Sequence, residues 1–149
     1  MRKSPVALAV AVLLFGGWLT WLGYRAWRDR QPVVVSRAQL ALSQYDVEVK
    51  LSKNPDGTLP AGVTVERVRW AADDKKPAEK DQIRVSNLPQ AQGYQGDGMY
   101  LLPLVRRGDE YELAGLPFDP GYPHREPPQP RIYPETPEVL KQWDEVRGP

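Results

Sequence analysis

The sequence predicts a mainly β protein: a small antiparallel β-barrel or sandwich behind a single N-terminal transmembrane helix, followed by a proline-rich arm and a short C-terminal helix. Three observations predict it. The run Val6 to Gly23 holds eighteen residues without one charge. Between residues 45 and 116, apolar and polar residues alternate in short stretches separated by turns that contain Gly or Pro. From Pro117 to Pro137, eight of twenty-one residues are proline, a composition that lies extended over a surface rather than inside a core.

Residues 1–4 form a basic tail carrying Arg2 and Lys3, and 5–27 the anchor. A backbone in hydrocarbon must satisfy its own hydrogen bonds, so the uncharged run is read as a helix. At about 1.5 Å per residue, Pro5 to Tyr24 reaches roughly 30 Å, the thickness of a bilayer core. Trp18, Trp21, Tyr24 and Trp27 recur at spacing three and place aromatic rings at one membrane–water boundary. A cleaved signal peptide fits less well, because its apolar region is usually shorter (about 7–15 residues) and no small-x-small site follows Gly23. The chain has no cysteine, which excludes a lipoprotein anchor and every disulfide.

Orientation is read from two opposed signals. Arg25, Arg28 and Arg30 after the span outnumber Arg2 and Lys3 before it, which leans toward a cytoplasmic C-terminus. A four-residue basic tail ordinarily stays inside while the remainder is exported. The expectation is a single-pass protein of the cell membrane with its module extracytoplasmic, its first partner being the lipid bilayer through residues 5–27.

The β domain is assigned to 31–116. Tyr45, Val47, Val49 and Leu51 fall on one face of a strand and charges on the other. Asn54-Pro55-Asp56-Gly57 is a turn. Val63-Thr64-Val65 alternates in one phase and Val68 and Trp70 in the other, the signature of a β-bulge near Glu66-Arg67. Gln82 to Leu88 reads as a third strand, and Ala91 to Gly98, with three glycines, as a loop. Met99 to Val105 and Glu110 to Leu116 form a hairpin across Arg106-Arg107-Gly108-Asp109. Pro103 removes a ladder donor and predicts an edge or kinked strand there. After the extended segment 117–136, Thr136, Pro137 and Glu138 suit the N-cap, first position and first turn of a helix over 137–147. Val139, Leu140, Trp143 and Val146 share one of its faces.

The order Val63-Thr64-Val65-Glu66-Arg67-Val68, Gln82-Ile83-Arg84-Val85, Gly98-Met99-Tyr100-Leu101-Leu102-Pro103-Leu104 and Tyr111-Glu112-Leu113 resembles part of a netrin-type module, the family that includes tissue inhibitors of metalloproteinases. The resemblance covers roughly Val47 to Leu116 and rests on hydrophobic spacing. It implies an OB-like five-stranded barrel. The family's cysteines are absent here, so it carries over no functional residue.

Composition and motifs narrow the function classes. Five of the twenty basic residues flank the span and only Asp29 of the nineteen acidic ones does. The module is therefore slightly acidic, and no nucleic-acid partner is expected, because phosphate binding needs a basic face. His124 is the sole histidine, and no serine stands in a Gly-x-Ser-x-Gly context. One histidine and no cysteine compose no zinc set, and no cofactor or catalytic constellation is expected. The function expected is a membrane-anchored, non-catalytic interaction module presenting its proline-rich arm to a protein partner, with contacts at Phe118, Tyr122, Tyr133 and Trp143. The alternatives are a small-ligand or glycan-binding barrel with a ligand face at Trp70, Tyr94 and Tyr100, and an architectural subunit of a membrane complex. For Trp143, docking back onto the barrel competes with partner binding, since so short a helix is unstable alone in water.

Overall fold

The computed structural model describes residues 5–28, 33–116 and 128–148. The chain divides into two compact units, Met1–Pro32 and Val33–Pro149. The first contains α1, Pro5–Arg28, a helix of 24 residues, close to the predicted 5–27. Its described side chains are those of 11–25, so the side chains of 6–10 in the predicted span Val6 to Gly23 lie outside the described residues. Among the described residues no helix is long and apolar enough to cross a membrane. Thr20, the one hydroxyl-bearing residue of the uncharged run, donates its Oγ1–H to the Gly16 carbonyl at 2.8 Å.

The second unit is a small β domain of antiparallel strands. Its elements are α2 (Arg37–Leu42), β1 (Tyr45–Leu51), β2 (Gly62–Ala71), β3 (Gln82–Arg84), a 3₁₀ turn at Leu88–Gln90, β4 (Gly98–Arg107), β5 (Glu110–Leu113), β6 (Tyr133–Pro134) and α3 (Pro137–Arg147). The strand order is β3-β2-β1-β4-β5, with β6 joining β4. Of the expected barrel or sandwich, a closed barrel is not formed: the sheet stays open between β3 and β5. Their ladders run to β2 and to β4, over three and four residues. One parallel bridge, Val85 to Tyr111, approaches across the gap. Beside it the Ser86 N–H donates to the Tyr111 carbonyl. The Asn87 amide then takes the place of a strand, donating to the Leu113 carbonyl at 3.2 Å and accepting its N–H at 2.7 Å.

The predicted bulge exists, and a second accompanies it. Along β1 the partners on β2 jump from Arg67 to Val65 and again from Trp70 to Val68, leaving Glu66 and Arg69 without a partner residue on β1. The first slip restores Val68 to the core side. The second turns Trp70, which the alternation had placed with Val68, to the outer face opposite Asp46.

Pro103 does not mark an edge. It lies opposite Asp46 in β4, a strand flanked on both sides. Its carbonyl accepts from Ala114 N–H at 2.8 Å, and in a strand a residue's N and C=O point to the same side. The missing donor therefore faces the stretch where β4 changes partner from β6 to β5, and no ladder bond is lost.

Two cores lie on opposite faces of this sheet. The inner one gathers Tyr45, Val47, Val49, Leu51, Val63, Val65, Tyr100, Leu102 and Leu104, as the alternation predicts. The outer one joins Val35 and Leu40 from the α2 region, Leu101 from β4, Tyr133 from the arm, and Val139 and Trp143 from α3. Neither α2 nor β6 is predicted by the sequence. The segment 131–134 is drawn into the sheet, through Gln92 to Arg131 and Leu101 to Tyr133, so this end of the arm is part of the fold.

Candidate functional site

The outward face of β1 carries Asp46 and Glu48, which strand alternation assigns to solvent. The structure buries both, at 0% and 4% exposure, because α3 lies across them. Asp46 accepts hydrogen bonds from Ser43 Oγ at 2.7 Å, Trp143 Nε1 at 3.1 Å, and Arg147 Nε and Nη2 at 2.6 and 3.0 Å. The Arg147 guanidinium also stands 3.6 Å over the Trp70 ring. Glu48 accepts from Arg69 Nη1 at 2.9 Å, and Arg69 reaches on to Asp144 of α3 at 3.1 Å. The Glu48 hydrogen bond, the largest influence on Arg69, holds its guanidinium more firmly charged than usual.

Helix α3 is well placed for this. Thr136 caps it by accepting from Val139 N–H, Glu138 occupies the first turn and Arg147 the last, each suited to the helix dipole. Behind it, Gln39 donates to the carbonyls of Ala114 and Arg131 and accepts from Tyr133 Oη at 2.6 Å. Burial pushes the Tyr133 phenol up. Among the described residues every buried side-chain polar atom has a partner. The cluster is complete within itself, and its chemistry is that of a clamp.

Of the four residues expected to contact a partner, Tyr133 and Trp143 are each 1% exposed, with rings edge-to-face at 5.6 Å. They are packed inside the domain rather than offered from it. Phe118 and Tyr122 lie outside the described residues, as does His124.

Of the three residues expected to form one ligand face, Tyr94 and Tyr100 come together and Trp70 stands apart. Trp70 belongs to the outer face beside Arg147. Tyr100 is in the inner core opposite Val49, its hydroxyl accepting from Gln95 N–H at 2.8 Å and donating to the Gly96 carbonyl at 2.7 Å. Tyr94 stacks on Tyr100 with ring centroids 5.5 Å apart and is half-buried. It donates to Asp97, and that hydrogen bond raises its phenol pKa.

Tyr94 does line an opening. The turn after β1 and the segment before β4 bound a cleft of about 400 Å³, walled by Lys53, Thr58, Leu59, Pro89, Gln92 and Tyr94. The Lys53 ammonium lies 5.1 Å from the Tyr94 ring centroid. Gly93 fixes one wall: its φ is +102° and a Cβ there would lie 2.3 Å from the Ile132 carbonyl oxygen. The cleft offers one cation, amide and hydroxyl groups and an aromatic edge, a set suited to hydrogen bonding and stacking. Among the described residues no group of three or more His, Cys, Asp or Glu is arranged to hold a metal ion.

Sequence reasoning missed Asp46, Glu48, Gln39 and Lys53. One signal was present: the C-terminal helix carries Trp143 and Arg147 four residues apart, and such a face needs somewhere to dock. No protein-family model, curated protein or solved structure matches this chain.

Proposed function

We propose that this protein is a membrane-anchored, non-catalytic interaction module, in which α1 holds a small OB-like β domain at a bilayer. The observation that carries the reading is the surface of α1. Its described large apolar side chains, from Val12 through Leu22, are exposed, and the run 6–23 is uncharged on every face. A helix apolar all round requires an apolar surrounding, and at about 1.5 Å per residue 24 residues reach roughly 36 Å. The Thr20–Gly16 hydrogen bond keeps the one hydroxyl of the run 6–23 satisfied in such a medium.

The OB-like assignment, and with it the resemblance to netrin-type modules, is supported by the strand order and by the parallel approach of Val85 to Tyr111, the arrangement of a partly open five-stranded barrel. The docked end of the arm, 128–136, and α3 favour the binding-barrel alternative over the arm as the recognition element, with the cleft beside Tyr94 as the place of engagement. Residues 128–148 then serve to hold the domain together.

The test is alkaline extraction of membranes carrying the full chain, combined with a C-terminal reporter pair, one active outside and one fluorescent in the cytoplasm. Retention in the pellet with the external reporter active is the expected result. Release into the supernatant would overturn the anchor. A cytoplasmic terminus would keep the anchor and reverse the orientation.

A further inference from the structure

We infer that the exposed face of α2 is a second membrane contact, an interfacial helix whose apolar side chains enter the boundary between headgroups and acyl chains. The inference rests on the anchored reading above and adds to it a lipid-binding surface on the β domain itself.

The argument starts from which residues of 33–42 face outward. Val35, Gln39 and Leu40 are buried. Val34, Arg37, Ala38, Ala41 and Leu42 are exposed. The four on the helix, at positions i, i+1, i+4 and i+5, share one face. That surface is apolar apart from one arginine, and no acidic residue occurs between Val33 and Leu42. An isolated exposed leucine is ordinary on any protein. Here Val34 at 63% and Leu42 at 54% are the only large hydrophobic side chains exposed among the described residues of 33–149. Both belong to the segment next in sequence to the anchor.

The face is held rigidly toward solvent. Ser36 Oγ accepts from Gln39 N–H at 3.2 Å and caps the helix. The Ser43 N–H closes its other end on the Leu40 carbonyl. The Gln39 amide, bonded to Ala114, Arg131 and Tyr133, prevents α2 from rolling its apolar side inward. The domain thus keeps Leu42 on the helix, and Val34 just before it, exposed to solvent.

The occupant follows from connection and charge. Only residues 29–32 separate the end of α1 from Val33, a length of chain that spans at most roughly 18 Å. A bilayer that holds α1 is therefore within reach of α2. Arg37 complements lipid phosphates, and small apolar side chains beside a basic one suit the interfacial zone.

The chain contains no cysteine, so single labels can be placed in the full-length protein. Leu14→Cys, Leu42→Cys and Asn54→Cys are each coupled to an environment-sensitive fluorophore and reconstituted in vesicles of phosphatidylcholine and phosphatidylglycerol. The expected result is a blue-shifted emission at 14 and 42, both quenched by lipids brominated on the acyl chain, and a water-like emission at 54. A label at 42 that behaves like that at 54, while 14 remains quenched, refutes the inference and leaves the anchor standing. A shift at 42 without bromolipid quenching assigns the face to a second protein copy and also refutes it. Water-like emission at all three positions removes the anchor itself.

Discussion

Replacing Arg147 with methionine should destabilise the β domain by about 3–5 kcal/mol, the cost of leaving a buried carboxylate without its counter-charge. The magnitude comes from the surroundings of Asp46. Its side chain is fully buried and Arg147 is 13% exposed; of the hydrogen bonds Asp46 receives, two come from that guanidinium. In Arg147→Met, Ser43 and Trp143 still donate, but no positive charge remains in contact with the carboxylate. Methionine preserves much of the stem that packs beside Trp70. The assay is urea unfolding of the full chain in detergent micelles, followed by far-ultraviolet circular dichroism. The companion variant Asp46→Asn and the double variant complete a cycle. If the two groups act as a pair, the double loss falls short of the sum of the single losses by about 1–3 kcal/mol. A loss below about 1 kcal/mol in Arg147→Met, the range of a solvent-exposed ion pair, would refute the claim that α3 covers Asp46.

Two further outcomes follow from the same geometry. Asn87→Ala removes the amide that bonds both backbone groups of Leu113; the expected loss is about 1–3 kcal/mol, with faster hydrogen exchange at the Leu113 amide, and unchanged exchange there would count against the Asn87 clamp. Tyr45 is held by burial, then by its hydrogen bond to Asp73, at a pKa of about 12 against an ordinary 10. Its folded pKa lies above its unfolded one, so the native state keeps a proton that the unfolded chain releases. Stability from this source is full below pH 10 and declines as pH rises from about 10 to 12. Denaturant midpoints across that range should fall less steeply in Tyr45→Phe than in the parent chain, and parallel slopes would refute the assignment.

Much of the inner core was legible because period two determines which side of a strand faces inward. Tyr45, Val47, Val49 and Leu51 alternate without interruption, and the phase change after Val65 announced its bulge. The terminal helix was legible from Thr136-Pro137-Glu138, a local capping signal that requires no knowledge of the rest of the fold. The second bulge, at Arg69, was not legible: nothing distinguishes an arginine left without a cross-strand partner from one in register, and missing it put Trp70 on the wrong face. Tyr94 and Tyr100 proved to be neighbours, whereas Trp70 is across the sheet from them. The cleft itself depends on two segments far apart in sequence, and periodicity says nothing of their meeting.

The sequence by itself determined the uncharged helix, the strand alternation and the C-terminal cap, because each is specified by residues within a turn or two of one another. Tertiary structure alone decided that Asp46 and Glu48 are buried, that the end of the arm becomes a strand, and that β3 and β5 stop short of closing the sheet. The physical reason is that alternation distinguishes two faces of a strand but does not say what covers them. Here the outer face of β1 is covered by a helix that begins 86 residues after β1 ends, and only that contact turns a row of charges into a buried clamp.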